Sequence, residues 1–242
     1  MSIPEQKDGK TEPILIRKFI QLVIQLLLVQ AILAGLLFIP AGRLDWLDAW
    51  VFVAAYGIFL LAYAVWGLLK DPDQLNERSH TRTAKNGKPW DKVILSVYTV
   101  FLLALFIVCG LDAGRFRWSS IPVPVKGLGW LGVACAGANI FWTLATNTYL
   151  SRVARIQSDR GQVVVTSGPY RYVRHPMYLG IIILFLCSPI ALGSLWGLLP
   201  GGIIGILFIL RTTKEDRMLR EELAGYQEYN QRVRYRLFPR IW

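Results

Sequence analysis

The chain has 242 residues, 54% of them hydrophobic and 18% charged, with a mean hydropathy of +0.40 and a formal net charge of +11. Its long uncharged stretches exclude an ordinary soluble domain, because apolar runs of about 20 residues match the hydrocarbon thickness of a bilayer. The positive charge lies between those runs and therefore orients a membrane protein instead of marking a nucleic-acid surface.

Six apolar runs, over 14–39, 46–69, 93–111, 128–149, 178–192 and 194–210, predict an all-α integral membrane protein of about six transmembrane helices. The first run is too long for the apolar part of a secretory signal, and no small-residue cleavage site follows before Pro40, so it reads as an uncleaved anchor. Gln21, Gln25 and Gln30 inside it suit hydrogen bonds between helices. The last two runs are separated only by Gly193 and predict a tight hairpin, or one long element kinked at Pro189 and Pro200. Segments on the N-terminal side of the spans carry 23 of the 27 Lys and Arg residues. That bias places both termini in the cytoplasm, and in the inner membrane for a bacterial chain. Trp46, Trp50, Trp118, Trp130 and Trp196 fall near the outer ends of spans, and Trp66 and Trp90 near inner ends, where amphipathic rings settle.

Cys109, Cys135 and Cys187 each sit inside an apolar run, and His80 and His175 are the only histidines. This pattern provides neither a disulfide framework nor the spacing of metal ligands, so no metal is expected. GLGWLG at 127–132 fits a dinucleotide fingerprint by spelling alone. It follows IPVPVK, whose prolines resist a central strand, and it opens a membrane span. Its small residues, with Gly137 and Ala138, instead favour close helix packing.

The polar chemistry gathers in three segments on the N-terminal side: 70–92, 151–176 and 211–242. In the middle one, 163–165 is a candidate short strand against 153–156. Gly168-Pro169 is turn chemistry. His175 precedes Pro176, and a proline at the first helical position puts the histidine at the cap. The following amides, with the helix dipole, would favour an anionic or electron-rich group at this mouth. His175 and Tyr178 are three apart and can face one ligand, and Gly180 would let a bulky group lie against the backbone. In the tail, Leu219, Leu223 and Tyr226 form an apolar stripe at helical spacing, and Arg211/Glu215 and Arg217/Glu221 form i,i+4 pairs. A hairpin after His175 would return Glu215 to the same depth.

These residues carry a family likeness. Arg174-His175-Pro176-Met177-Tyr178-Leu179-Gly180 is followed by Glu215-Asp216-Arg217-Met218-Leu219, then by a G-Y-x-x-Y motif at 225–229 and V-R-Y-R-x-x-P at 233–239. From residue 147 onward the chain resembles the isoprenylcysteine carboxyl methyltransferases, whose relatives include phospholipid N-methyltransferases and small-thiol methyltransferases. The resemblance implies N-terminal membrane helices over 1–146 and a catalytic region over 147–242, with a cytoplasmic C-terminal helix. It also implies S-adenosylmethionine as cofactor, bound by Arg174, His175, Tyr178 and Gly180 from one side and Glu215 from the other. Gln157, Tyr170 and Arg160 would form pocket walls, and Arg236 with Glu215 would serve the reaction. Asp216 stands where many relatives have a second glutamate, and its shorter side chain ranks it below Glu215.

The chemistry agrees with this. A carboxylate or helix amides can hold the polar groups of the cofactor, and tyrosine rings can face its sulfonium. Methyl transfer demands chiefly alignment and a dry site. The acceptor would be a lipophilic small molecule entering sideways from the bilayer. With no dedicated base at the mouth, an already ionised carboxylate suits the site better than a thiol or amine. The competing readings are a phospholipid-amine or small-thiol methyltransferase, and a non-catalytic transporter or sensor that keeps the pocket.

Overall fold

The computed structural model describes residues 11–79 and 87–242. His80 and the side chain of Gln21 lie outside the described residues. Among the described residues, eight α-helices follow in order: α1 Thr11–Ala41, α2 Leu47–Lys70, α3 Pro72–Ser79, α4 Pro89–Cys109, α5 Val123–Thr146, α6 Pro176–Leu192, α7 Leu198–Glu222 and α8 Tyr226–Arg232. No strand occurs among the described residues, so the protein is all-helical as expected.

Among the described residues, four helices are long and apolar enough to cross a membrane: Val23–Ala41, Leu47–Lys70, Pro89–Phe116 and Val123–Thr146. α6 is apolar but shorter, with 17 residues. Aliphatic side chains such as Leu27, Ile39, Ile58, Val100 and Leu131 point outward and stay exposed. An outer surface of this kind fits a lipid solvent.

Packing relies on small residues, because apolar side chains gain little by leaving lipid for one another. A Cβ on Gly129 would lie 2.6 Å from the Ala191 backbone nitrogen, and one on Gly132 would lie 2.3 Å from Cys187 Sγ. These contacts run α5 antiparallel against α6, and Gly129 and Gly132 give the close helix packing that small residues favour. On the next face, Gly201 meets the Phe185 carbonyl and Gly205 meets Ile182, so α6 and α7 form an antiparallel hairpin. Gly193 ends α6 with φ 87°, a left-handed conformation that admits glycine readily.

The helix after this turn differs from expectation in one respect. α7 is continuous from Leu198 to Glu222, so the last apolar run and the acidic segment share one axis and 215–216 is rigidly placed. α4 passes into a π-helical turn, Gly110–Phe116, where Asp112 is buried and accepts hydrogen bonds from Ser119 and Ser194 at 2.6 Å each. Between α1 and α2, Gln30 donates to the Val53 carbonyl at 2.8 Å, an interhelical bond of the expected kind.

At the opposite end of the bundle, α3 and the 147–175 segment close over the helix termini. Gln74 is fully buried and its amide caps the α5 carbonyls of Leu144 and Asn147. Arg155 pairs with Glu77 at 2.8 Å. Residues 153–156 do not pair with 163–165. The Ala154 amide donates to Asp91 at 2.7 Å and its carbonyl accepts from Lys88 at 3.1 Å, so the start of α4 takes up the backbone a strand would need.

Candidate functional site

The site is built where α6 begins and α7 leaves the apolar layer. His175 caps α6 with φ −126° and ψ 61°, and Pro176 takes the first helical position. The amides of Arg174 and His175 donate to the carbonyls of Tyr235 and Arg236, each at 2.9 Å. This short backbone pairing seats the C-terminal segment on the histidine-proline corner. One turn on, Tyr178 donates its hydroxyl to Glu215. The two motifs therefore converge although they lie 37 residues apart in sequence. The rings of His175 and Tyr178 stack with centroids 5.7 Å apart, and the Arg211 guanidinium lies 5.1 Å from the Tyr178 ring centre.

The centre of this network is Asp216, which, unlike Glu215, is not on the wall of the adjoining cavity and takes a structural place instead. It is fully buried. Arg174 donates to it through Nε at 2.8 Å and Nη2 at 3.2 Å, Arg220 at 2.8 Å and Arg236 at 3.1 Å. Tyr226 donates at 3.0 Å, and His175 Nε2 lies 3.4 Å away. Burial alone would raise the Asp216 carboxyl. The hydrogen bonds from His175 and Arg174, and their charges, outweigh it and hold the group well below the usual carboxylate range. The same burial, and the charge on Asp216, push the Tyr226 phenol up. An aspartate suits this hub because its short stem keeps both oxygens beside the helix, within reach of donors from α6 and the tail.

Next to the hub opens a cavity of about 690 Å³, large enough for a cofactor-sized molecule. Its wall includes Arg174, His175, Tyr178, Glu215, Gln157 and Tyr170, which are six of the residues singled out from sequence. A second cavity of about 490 Å³ lies between α1, α2, α4, α5 and α6 and is lined almost wholly by apolar side chains. Tyr56, Tyr98 and Leu102 belong to both walls, so the polar cavity adjoins the apolar one.

The expected residues divide by what they can still do. Glu215 spends one carboxylate oxygen on Tyr178, and the other has no partner among the described residues. Arg174 is saturated, since Nη1 also donates to the carbonyls of Val233 and Arg234 at 2.7 and 2.8 Å. Gln157 is buried, with its amide committed to Tyr149 and Arg160. Arg160 serves as its support. The hydroxyl of Tyr170 accepts from Asn147 at 2.8 Å, leaving the ring as a wall. The α6 amides of Tyr178 and Leu179 bond to the His175 carbonyl, so they are not free for an anion.

Two placements differ from expectation. Gly180 faces α5: a Cβ there would approach Ile140 to 2.7 Å and Asn139 to 2.8 Å, so its smallness serves helix packing and not the cavity. Arg236 is absent from the cavity wall. It binds Asp216 and lies 4.9 Å over the Trp242 ring, which makes it a positioning residue. The i,i+4 reading of Arg211 with Glu215 also fails. Arg211 forms a bidentate pair with the buried Asp91 at 2.7 and 3.1 Å. No local pattern could link these residues, which lie 120 apart in sequence.

Comparison with known proteins fits this geometry. Residues 128–224 match the phospholipid methyltransferase family. It is a family of integral membrane methyltransferases related to the isoprenylcysteine carboxyl methyltransferases, which is the relationship the motifs implied. The matched segment holds most of α5, all of α6 and α7 and the loop between α5 and α6, and thus both motifs that meet at Tyr178 and Glu215. The chain is also similar to the cobalt-zinc-cadmium resistance protein CzcN of Cupriavidus metallidurans, with 28% identity over 149 residues. That alignment covers 58% of this chain and 62% of CzcN, so the chain spans less than two thirds of that relative.

Proposed function

We propose that the protein transfers a methyl group from S-adenosylmethionine to a lipophilic small acceptor that arrives from the bilayer. The observation that carries this reading is the junction of the two cavities. A polar chamber walled by His175, Tyr178 and Glu215 abuts an apolar chamber at the depth of the spans, through Tyr56, Tyr98 and Leu102. The residues fit the cofactor in kind. The unspent oxygen of Glu215 can accept from a ribose hydroxyl or an ammonium, and the rings of His175, Tyr178 and Tyr170 offer faces to adenine.

Bound there, S-adenosylmethionine supplies an electrophilic methyl group on a sulfonium. The task of the protein is to align donor and acceptor and to exclude water. Asp216 serves the first need by locking Arg174, Tyr226 and Arg236, which fix the α6 corner against α7. The apolar chamber serves the second. An acceptor carboxylate would attack without a base, in keeping with a wall where most polar side chains are already bonded.

Within this reading, the α6–α7 hairpin adds two spans to the four longer ones, and the basic ends of the bundle face the cytoplasm. A phospholipid amine is the second acceptor class, favoured by the family match over 128–224. Calorimetry with S-adenosylmethionine in a neutral detergent tests the core of the proposal. Binding should be saturable and should fall at least about tenfold in Glu215→Gln and His175→Ala, the loss of one good polar contact each. Absence of any heat or fluorescence response by the intact protein would favour a transporter or sensor instead.

A further inference from the structure

Among the described residues, three of the five arginines that line the polar cavity are neutralised inside the protein. Arg174 and Arg211 are held by Asp216 and Asp91, and Arg155 by Glu77 and Asp159. Arg78 and Arg152 differ. Both line the cavity, and no hydrogen bond or ion pair joins either guanidinium to another described residue. Arg78 stands in the last turn of α3, a helix held firmly by the buried Gln74 beneath α5 and by the Glu77–Arg155 pair. It is therefore presented to the cavity by a fixed support. Burial lowers its guanidinium, and the like charges of Arg152 and Arg211 lower it further. Two cations that line one cavity without a bonded counter-ion repel each other, and an anion received between them relieves both that repulsion and the unmet hydrogen bonds.

We propose that Arg78 and Arg152 form an anion subsite that receives the carboxylate or phosphate of a bound ligand beside Tyr178 and Glu215. The subsite joins α3 to the start of the loop that follows α5, and Arg78 is outside the segment matched by the family. Two ligands could bring the anion: the amino-acid carboxylate of the methyl donor, for which the saturated Arg174 is not available, or the acidic head of an amphiphilic acceptor. The donor source rests on the function proposed above, whereas the amphiphile source stands without it.

The test uses the full chain in neutral detergent and two matched ligand pairs. S-adenosylmethionine is compared with its decarboxylated form, and dodecyl phosphate with dodecanol, on wild type, Arg78→Gln, Arg78→Lys and Arg152→Gln. If the donor supplies the anion, Arg78→Gln weakens S-adenosylmethionine at least about tenfold and leaves the decarboxylated form unchanged. If the amphiphile supplies it, the same loss appears for dodecyl phosphate and not for dodecanol. In either case Arg78→Lys restores part of the affinity. Arg152→Gln, at an exposed residue, repeats the test should Arg78→Gln fail to fold. Equal affinity of wild type and both glutamine variants for all four ligands overturns the subsite. A wild type that binds dodecyl phosphate through Arg78 but ignores S-adenosylmethionine would keep the subsite and remove the methyl-donor reading.

Discussion

Glu215 and Asp216 are neighbours on one helix, and the structure gives them opposite tasks. Replacing Asp216 with Asn keeps the shape but leaves Arg174 without its charge partner. The loss is dominated by Arg174, because its side chain is only 4% exposed while Arg236 and Arg220 are 23% and 36% exposed and partly screened by water. Breaking a buried ion pair from one side costs about 3–5 kcal/mol. For a chain of this size that corresponds to a fall in melting midpoint of about 10 °C. Glu215→Gln preserves a hydrogen-bond acceptor for Tyr178 at a half-buried position, so its midpoint should move by less than about 1 kcal/mol equivalent. Its S-adenosylmethionine affinity should nevertheless drop about tenfold, as stated above. Tryptophan fluorescence during heating in detergent, with calorimetry on the same samples, reads both effects. An Asp216→Asn protein melting within about 2 °C of wild type would refute the assignment of Asp216 as the hub that holds α6, α7 and the tail together.

Three further outcomes follow from the same geometry. The Asp216 carboxyl is depressed in the folded protein, so its stabilisation is complete above the unfolded value near 4 and is lost as pH falls from there toward the lower folded value; Asp216→Asn should flatten that acid limb in a pH series of melting midpoints. Gly180→Ala forces a Cβ against Ile140 and Asn139 and should destabilise by about 1–3 kcal/mol; a lost cofactor affinity with unchanged melting would instead return Gly180 to the ligand site. At Gly137, on the apolar chamber, a Cβ would meet only Phe59 at 4.0 Å; Gly137→Leu should therefore leave S-adenosylmethionine binding intact while lowering radiolabelled methyl incorporation into extracted membrane lipids several-fold, and undiminished incorporation would separate that chamber from the acceptor path.

Much of this molecule was already written in one dimension. Apolar run length is set by bilayer thickness, so the helices were legible without any partner. Loop charge assigned the same group of segments to one end, where Lys88, Arg155 and Arg211 do meet their partners. Proline after His175 dictated the cap, because a five-membered ring restricts both its own backbone and that of its predecessor. The meeting of Tyr178 with Glu215 followed from two motifs and a hairpin short enough to bring them back together.

Tertiary structure alone decided which polar groups remain available. Whether an arginine binds a ligand or braces a loop depends on who else reaches it, and that is a matter of distance in space. Arg174 and Arg236 turned inward to Asp216, Arg211 found Asp91 far along the chain, and Gly180 turned to α5. Arg78 and Arg152 were left facing the cavity. In a low-dielectric interior a buried charge must be paired, so the folded packing distributes the partners, and the composition of a motif cannot say which of its members will be left over.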